Sequence, residues 1–176
     1  MRNLPRAAYG GALAHAGVGI MVIGLVATSA WREERIVALA PGGSVDIAGY
    51  ELTFKGVAPR IGPNYRERVG TFDISRGGTQ FRVLHPSKRE FTVERNTTTE
   101  SGIHNGWRGD LYVVLGDQLK DGAYTVRVYF NPLVRLIWIG ALVMFFAGAV
   151  SLSDRRLRVG APKRARTKTA MATAGK

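Results

Sequence analysis

Ala7 to Ala30 is a run of 24 residues without a single charge, AAYGGALAHAGVGIMVIGLVATSA. A second such run, Leu136 to Leu152, lies near the other end of the chain. At about 1.5 Å per helical residue the first run is about 36 Å long, enough to cross the roughly 30 Å hydrocarbon layer of a bilayer. Trp31 follows it, where an indole favours the interface, and Arg2 and Arg6 precede it. The second segment is read as Pro132 to Leu152, with Pro132 in the first helical turn and Arg135 snorkelling to the head groups. A secretory signal peptide is the rival reading of the first run. The run is about twice the usual apolar core of such a peptide, and it holds a histidine and five glycines.

Charge gives the orientation. The chain carries 25 Lys and Arg against 13 Asp and Glu, a formal net charge of +12. Residues 32–131 hold 14 basic and 12 acidic side chains, so the excess sits at the ends, next to the apolar runs. That distribution argues against nucleic-acid binding, which needs a basic folded surface. The positive-inside rule instead puts the tail with Arg155, Arg156, Arg158, Lys163, Arg164, Arg166 and Lys168 in the cytoplasm. Two spans bring the N-terminus to the same side and leave the middle outside, in the periplasm of a bacterium. The expected division is a cytoplasmic N-terminus 1–6, a transmembrane helix 7–31, a β domain 32–131, a second transmembrane helix 132–152 and a basic, disordered cytoplasmic tail 153–176. The absence of cysteine excludes disulfides, thiolate metal sites and cysteine catalysis.

The middle reads as strands. Val45–Ile47, Glu51–Phe54, Thr71–Ile74, Gln80–Val83, Glu90–Val93 and Tyr124–Tyr129 alternate apolar and polar residues. Pro41-Gly42-Gly43, Ile61-Gly62-Pro63-Asn64, Arg76-Gly77-Gly78 and Asp121-Gly122 separate these runs as turns, and Arg76–Thr79 has the form of a tight hairpin. Thr97–Glu100 reads as a cap or turn. The fold class is therefore a membrane protein with two transmembrane α-helices flanking an all-β domain, an antiparallel sandwich or open barrel. The β domain contains no recognisable catalytic motif, and its two histidines, His85 and His104, carry no pattern that assigns them a role.

His15 is the residue with functional content. An ionisable side chain inside a membrane span is costly and faces protein, water or a cofactor. Gly11 and Gly19 lie four residues to either side, so the three share one helix face and the glycines leave a groove beside the imidazole. The groove suits a close helix neighbour that hydrogen-bonds the ring, or a flat macrocycle such as haem, whose iron takes an axial histidine.

Several short motifs carry a resemblance. In order they are Ala12-Leu13-Ala14-His15-Ala16-Gly17, Ser29-Ala30-Trp31, Ala48-Gly49-Tyr50-Glu51-Leu52, Gly62-Pro63-Asn64-Tyr65, Leu84-His85-Pro86-Ser87-Lys88-Arg89, Thr99-Glu100-Ser101-Gly102-Ile103, Asp110-Leu111-Tyr112-Val113, Asn131–Trp138 and Ser151–Arg156. Over residues 5–158 the chain resembles the C-terminal portion of the CcmF/NrfE family, haem lyase subunits of bacterial cytochrome c maturation. The resemblance implies a bacterial inner-membrane protein. It further implies that His15 is an axial ligand of a membrane-embedded haem b, and that the chain takes part in covalent haem attachment to apocytochrome c. The family's tryptophan-rich WWD segment, first membrane histidine and two outer histidines do not occur in these residues. The implied chain is thus a C-terminal part, either a fragment or a separately encoded subunit, without a complete catalytic site. Its haem b would be shared with another chain or a missing segment. The implied partners are membrane lipid, the remaining haem lyase subunits or N-terminal part, a haem chaperone and apocytochrome c. The competing reading, from another class, is a cofactor-free membrane-anchored scaffold whose β domain docks partner proteins.

Overall fold

The computed structural model describes residues 5–93 and 95–154. Most of the expected basic tail, and residues 1–4, lie outside the described residues. Helix α1 spans Arg6–Ala30 and helix α2 spans Arg135–Leu152. Between them run ten strands: β1 Glu33–Leu39, β2 Ser44–Ile47, β3 Tyr50–Ile61, β4 Tyr65–Arg76, β5 Thr79–Leu84, β6 Ser87–Phe91, β7 Thr97–Glu100, β8 Gly102–Asn105, β9 Gly109–Gln118 and β10 Tyr124–Pro132.

The strands form two antiparallel sheets. One has the order β1-β10-β9-β8, and the other β2-β3-β4-β6-β7 with β5 also paired to β4. β5 and β6 are two halves of one strand path along β4, interrupted at His85-Pro86. Proline has no N–H for the ladder, so the path breaks there. The Gly70 N–H still donates to the Pro86 carbonyl at 2.8 Å, which holds the two halves in line. The inner faces of both sheets supply the core: Leu52, Phe54, Phe72 and Ile74 from one, Leu111, Val113, Val126 and Val128 from the other, all fully buried. Phe54 and Phe72 stack with centroids 4.9 Å apart at its centre. The anticipated hairpin at Arg76–Thr79 is present. Gly77 and Gly78 both have positive φ, 58° and 77°, the geometry of a type I′ turn that glycine adopts without cost.

Three local expectations are corrected. Thr97–Glu100 is strand β7, an edge strand on β6, not a cap or turn. Its threonines are β-branched and suit a pleated surface. The Glu90–Val93 run stays extended only to Phe91, and Val93 is 86% exposed. Pro132 ends strand β10 and does not open α2. Leu133 then takes a positive φ of 53°, which turns the chain, and the helix begins at Arg135.

β1 and β10 are paired neighbours, with Glu33 opposite Phe130. α1 feeds β1 and β10 feeds α2, so the sheet register delivers the two helices side by side and antiparallel. They pack along Gly10, Gly17 and Gly24, a seven-residue repeat that keeps one stripe facing a partner helix. A Cβ added at Gly17 would lie 2.7 Å from Met144 Cγ and 2.9 Å from the Gly140 carbonyl oxygen. One at Gly24 would lie 2.8 Å from the Ile137 nitrogen. The backbones touch, as small-residue seams allow. At the far end the Ala7 N–H donates to Asp154 Oδ2 at 3.1 Å.

Candidate functional site

His15 lies two residues before Gly17 and five after Gly10, which at 100° per residue places it on the face of α1 turned away from α2. The ring is exposed. Its Nδ1 is 2.8 Å from the carbonyl oxygen of Gly11, one turn back. A carbonyl oxygen can only accept, so Nδ1 carries a proton, and in the neutral ring Nε2 then keeps its lone pair. This is the tautomer that ligation through Nε2 needs, and the bond to Gly11 holds the ring in place. A Cβ built on Gly11 or on Gly19 would meet nothing within 4 Å. Both glycines therefore border open space beside the ring, and among the described residues no helix fills it. The structure brings His15, Gly11 and Gly19 to one open stripe, and it gives the helix–helix contact to a different set of glycines.

The other histidines are far from this stripe in the fold. His85 is exposed at the β5–β6 break, 3.5 Å from the Thr71 hydroxyl through Nδ1. His104, on β8, sits among rings, 5.2 Å from the Phe81 centroid and 6.0 Å from that of Tyr50. Burial, then the Arg82 charge, hold its pKa below the usual imidazole value, so it is neutral at pH 7. Among the described residues no group of three or more His, Cys, Asp and Glu side chains is placed to hold a metal.

Sequence reasoning passed over one charged cluster. Glu67 on β4 has a fully buried side chain. It accepts hydrogen bonds from Arg89 Nε at 2.8 Å and Ser87 Oγ at 2.9 Å, and it pairs with Arg60. Burial alone would raise its pKa, but the bonds from Arg89, Arg60 and Ser87 outweigh it and hold the carboxyl at about 2. Arg89 also reaches Glu100 on β7 and lies over the Tyr65 ring. The cluster fastens β3, β4, β6 and β7 together. The alternating charges Arg66-Glu67-Arg68 give no signal of burial, because they read as a solvated strand face.

A family model described as the CcmF C-terminal β-sandwich matches residues 30–132, the whole two-sheet unit. The chain belongs to the CcmF family. It is 48% identical over 167 residues to the cytochrome c-type biogenesis protein CycK of Bradyrhizobium diazoefficiens, a match covering 95% of this chain and 25% of that protein. Against the cytochrome c-type biogenesis protein CcmF of Pseudomonas aeruginosa the identity is 41% over 174 residues, 99% of this chain and 26% of that protein. The match to the CcmF relative thus takes in both helices as well as the sandwich. The fold is shared with a solved cytochrome c haem lyase CcmF, with a TM-score of 0.69, 17% identity, 84% of this chain covered and 25% of that chain. The chain spans about a quarter of the length of the curated CcmF-family relatives it matches. It corresponds to their β-sandwich region with a helix on either side.

Proposed function

We propose that this chain forms the C-terminal part of a CcmF-type haem lyase, in which His15 ligates the iron of a membrane-embedded haem b. The carrying observation is the Nδ1–H bond to Gly11, which leaves Nε2 uncommitted on a face that is open at Gly11 and Gly19 among the described residues. The residues present fit the group: one imidazole held through its Nδ1, two flanking glycines that leave room for a flat ring, and an apolar helix surface. Bound haem would supply one-electron redox chemistry. This chain's own part is to present Nε2, to keep side chains out of the ring's way at Gly11 and Gly19, and to shield the site from water. A second ligand to the iron would have to come from another chain or from a further part of the protein.

Both apolar helices cross the inner membrane of a bacterium, with the basic ends cytoplasmic and the sandwich periplasmic. There the sandwich braces the haem-handling part of the lyase and docks partners such as apocytochrome c and the haem chaperone. The relatives are cytochrome c-type biogenesis proteins, which supports this reading. His15→Ala in the assembled complex is expected to abolish the b-haem absorbance while the protein stays in the membrane. Unchanged haem content would overturn the ligand assignment, and a purified unsubstituted complex without a haem spectrum would favour the cofactor-free scaffold.

A further inference from the structure

Where the sandwich meets the first turn of α2, a cleft of about 460 Å³ opens between the β8–β9 turn and the helix. Tyr50, Phe81 and Trp107 form its aromatic walls, and Arg108 and Arg135 stand at its mouth. The turn is anchored to the start of the helix, since the Leu133 N–H donates to the Arg108 carbonyl at 3.1 Å. Trp107 is 81% exposed and has the Arg135 guanidinium 5.0 Å from its ring centroid. The cleft therefore lies at the level where the apolar helix gives way to the polar domain, with an indole and a guanidinium pointing into that boundary.

The charge there is unbalanced. The ion pairs of the sandwich use other arginines, and neither Arg108 nor Arg135 has a carboxylate partner among the described residues. Arg76 lines the same cleft and is held over the Tyr50 ring at 5.3 Å, leaving its charge uncompensated too. Asp110 is the acid that acts on this region: at His104, itself part of the cleft lining, it opposes the effect of Arg82 and Arg135. His104 Nδ1 is buried there without a hydrogen-bond partner. A concave site with two guanidinium groups that lack a carboxylate partner among the described residues, aromatic walls and an adjoining apolar helix matches an anion that carries an apolar body. Exposed Trp138, one turn into α2, continues the apolar surface away from the cleft.

We propose that this cleft binds the phosphate of an anionic phospholipid headgroup, with Arg108 and Arg135 as its donors and the acyl chains lying along α2. Guanidinium–phosphate pairs are charge-assisted and shielded at such a boundary, so each is worth about tenfold in affinity. The inference is independent of haem ligation by His15, which concerns a different face of a different helix.

The test is native mass spectrometry of the purified full chain in a neutral detergent. It is titrated with phosphatidylglycerol, with phosphatidylcholine, and with inorganic phosphate as competitor. Phosphatidylglycerol is expected to stay bound at concentrations at least about tenfold below those needed for phosphatidylcholine, with millimolar phosphate failing to displace it. Arg108→Gln alone, on an exposed turn, should lower that preference, and Arg108→Gln with Arg135→Gln should abolish it, both with unchanged far-ultraviolet dichroism. Equal retention of the two lipids, or a preference that survives the double substitution, overturns the site. Displacement by free phosphate at equal concentration overturns the lipid as its source.

Discussion

Glu67 is the residue on which most of the second sheet's polar geometry converges. With its pKa held at about 2, against 4.5 for an ordinary glutamate, the folded state binds the charged form more tightly than the unfolded chain does. The stabilisation is therefore complete above about pH 4.5 and is lost as pH falls toward 2. Glu67→Gln removes the charge but keeps the size. It should lower stability by about 1–3 kcal/mol at pH 7, and the deficit should shrink steadily between pH 4.5 and 2. Thermal unfolding of both proteins in detergent across that range checks it; a deficit that is constant with pH would show that the ion pairs contribute nothing. His15 and Glu67 also mark what the sequence discloses at this scale. His15 stands alone in 24 uncharged residues, so its cost is visible by inspection. Glu67 lies between two arginines, and its burial depends on Arg60, Ser87 and Arg89 arriving from other strands.

The two glycine stripes of α1 have opposite requirements. Gly10, Gly17 and Gly24 touch α2 backbone, whereas Gly11 and Gly19 face open space. Gly17→Leu would force the helices apart and should cost about 1–3 kcal/mol, read as a lower melting temperature or faster proteolysis in detergent. Gly19→Leu leaves that packing intact and, on the haem reading, should lower b-haem absorbance in the assembled complex by blocking the groove. If both substitutions weaken packing equally, the division of the helix into two faces is wrong. The seven-residue spacing of Gly10, Gly17 and Gly24 was present in the sequence as a signal for the seam. Glycines occupy both faces of α1, so the residues alone do not say which face meets a helix. Strands show the same dependence on context. β4 alternates clearly, with Phe72 and Ile74 inward, and its runs are legible. β9 is not, because Val114 breaks the alternation of Leu111, Val113 and Leu115 with an apolar residue on the other face. β1 is obscured by an exposed Ile36, and β8 is only four residues long.

At the scale of the whole molecule, the pairing of β1 with β10 ties the direction of one helix to that of the other. An antiparallel helix pair emerging from adjacent strands returns both chain ends to the same side of any membrane it crosses. The Ala7–Asp154 hydrogen bond shows those ends meeting. Charge then selects which side: the sandwich region carries nearly equal numbers of acids and bases, and the excess lies beyond Asp154 and before Ala7. The absence of cysteine makes this directly measurable. Lys120, exposed on the loop between β9 and β10, and Lys176, at the end of the sequence, can each be replaced singly by cysteine without a competing thiol. In intact spheroplasts a membrane-impermeant maleimide should label the Lys120→Cys protein at once. The Lys176→Cys protein should react only after the membrane is opened. Labelling of both without lysis would mean that the chain does not cross twice. The inverse pattern would place the sandwich in the cytoplasm and overturn the proposed orientation.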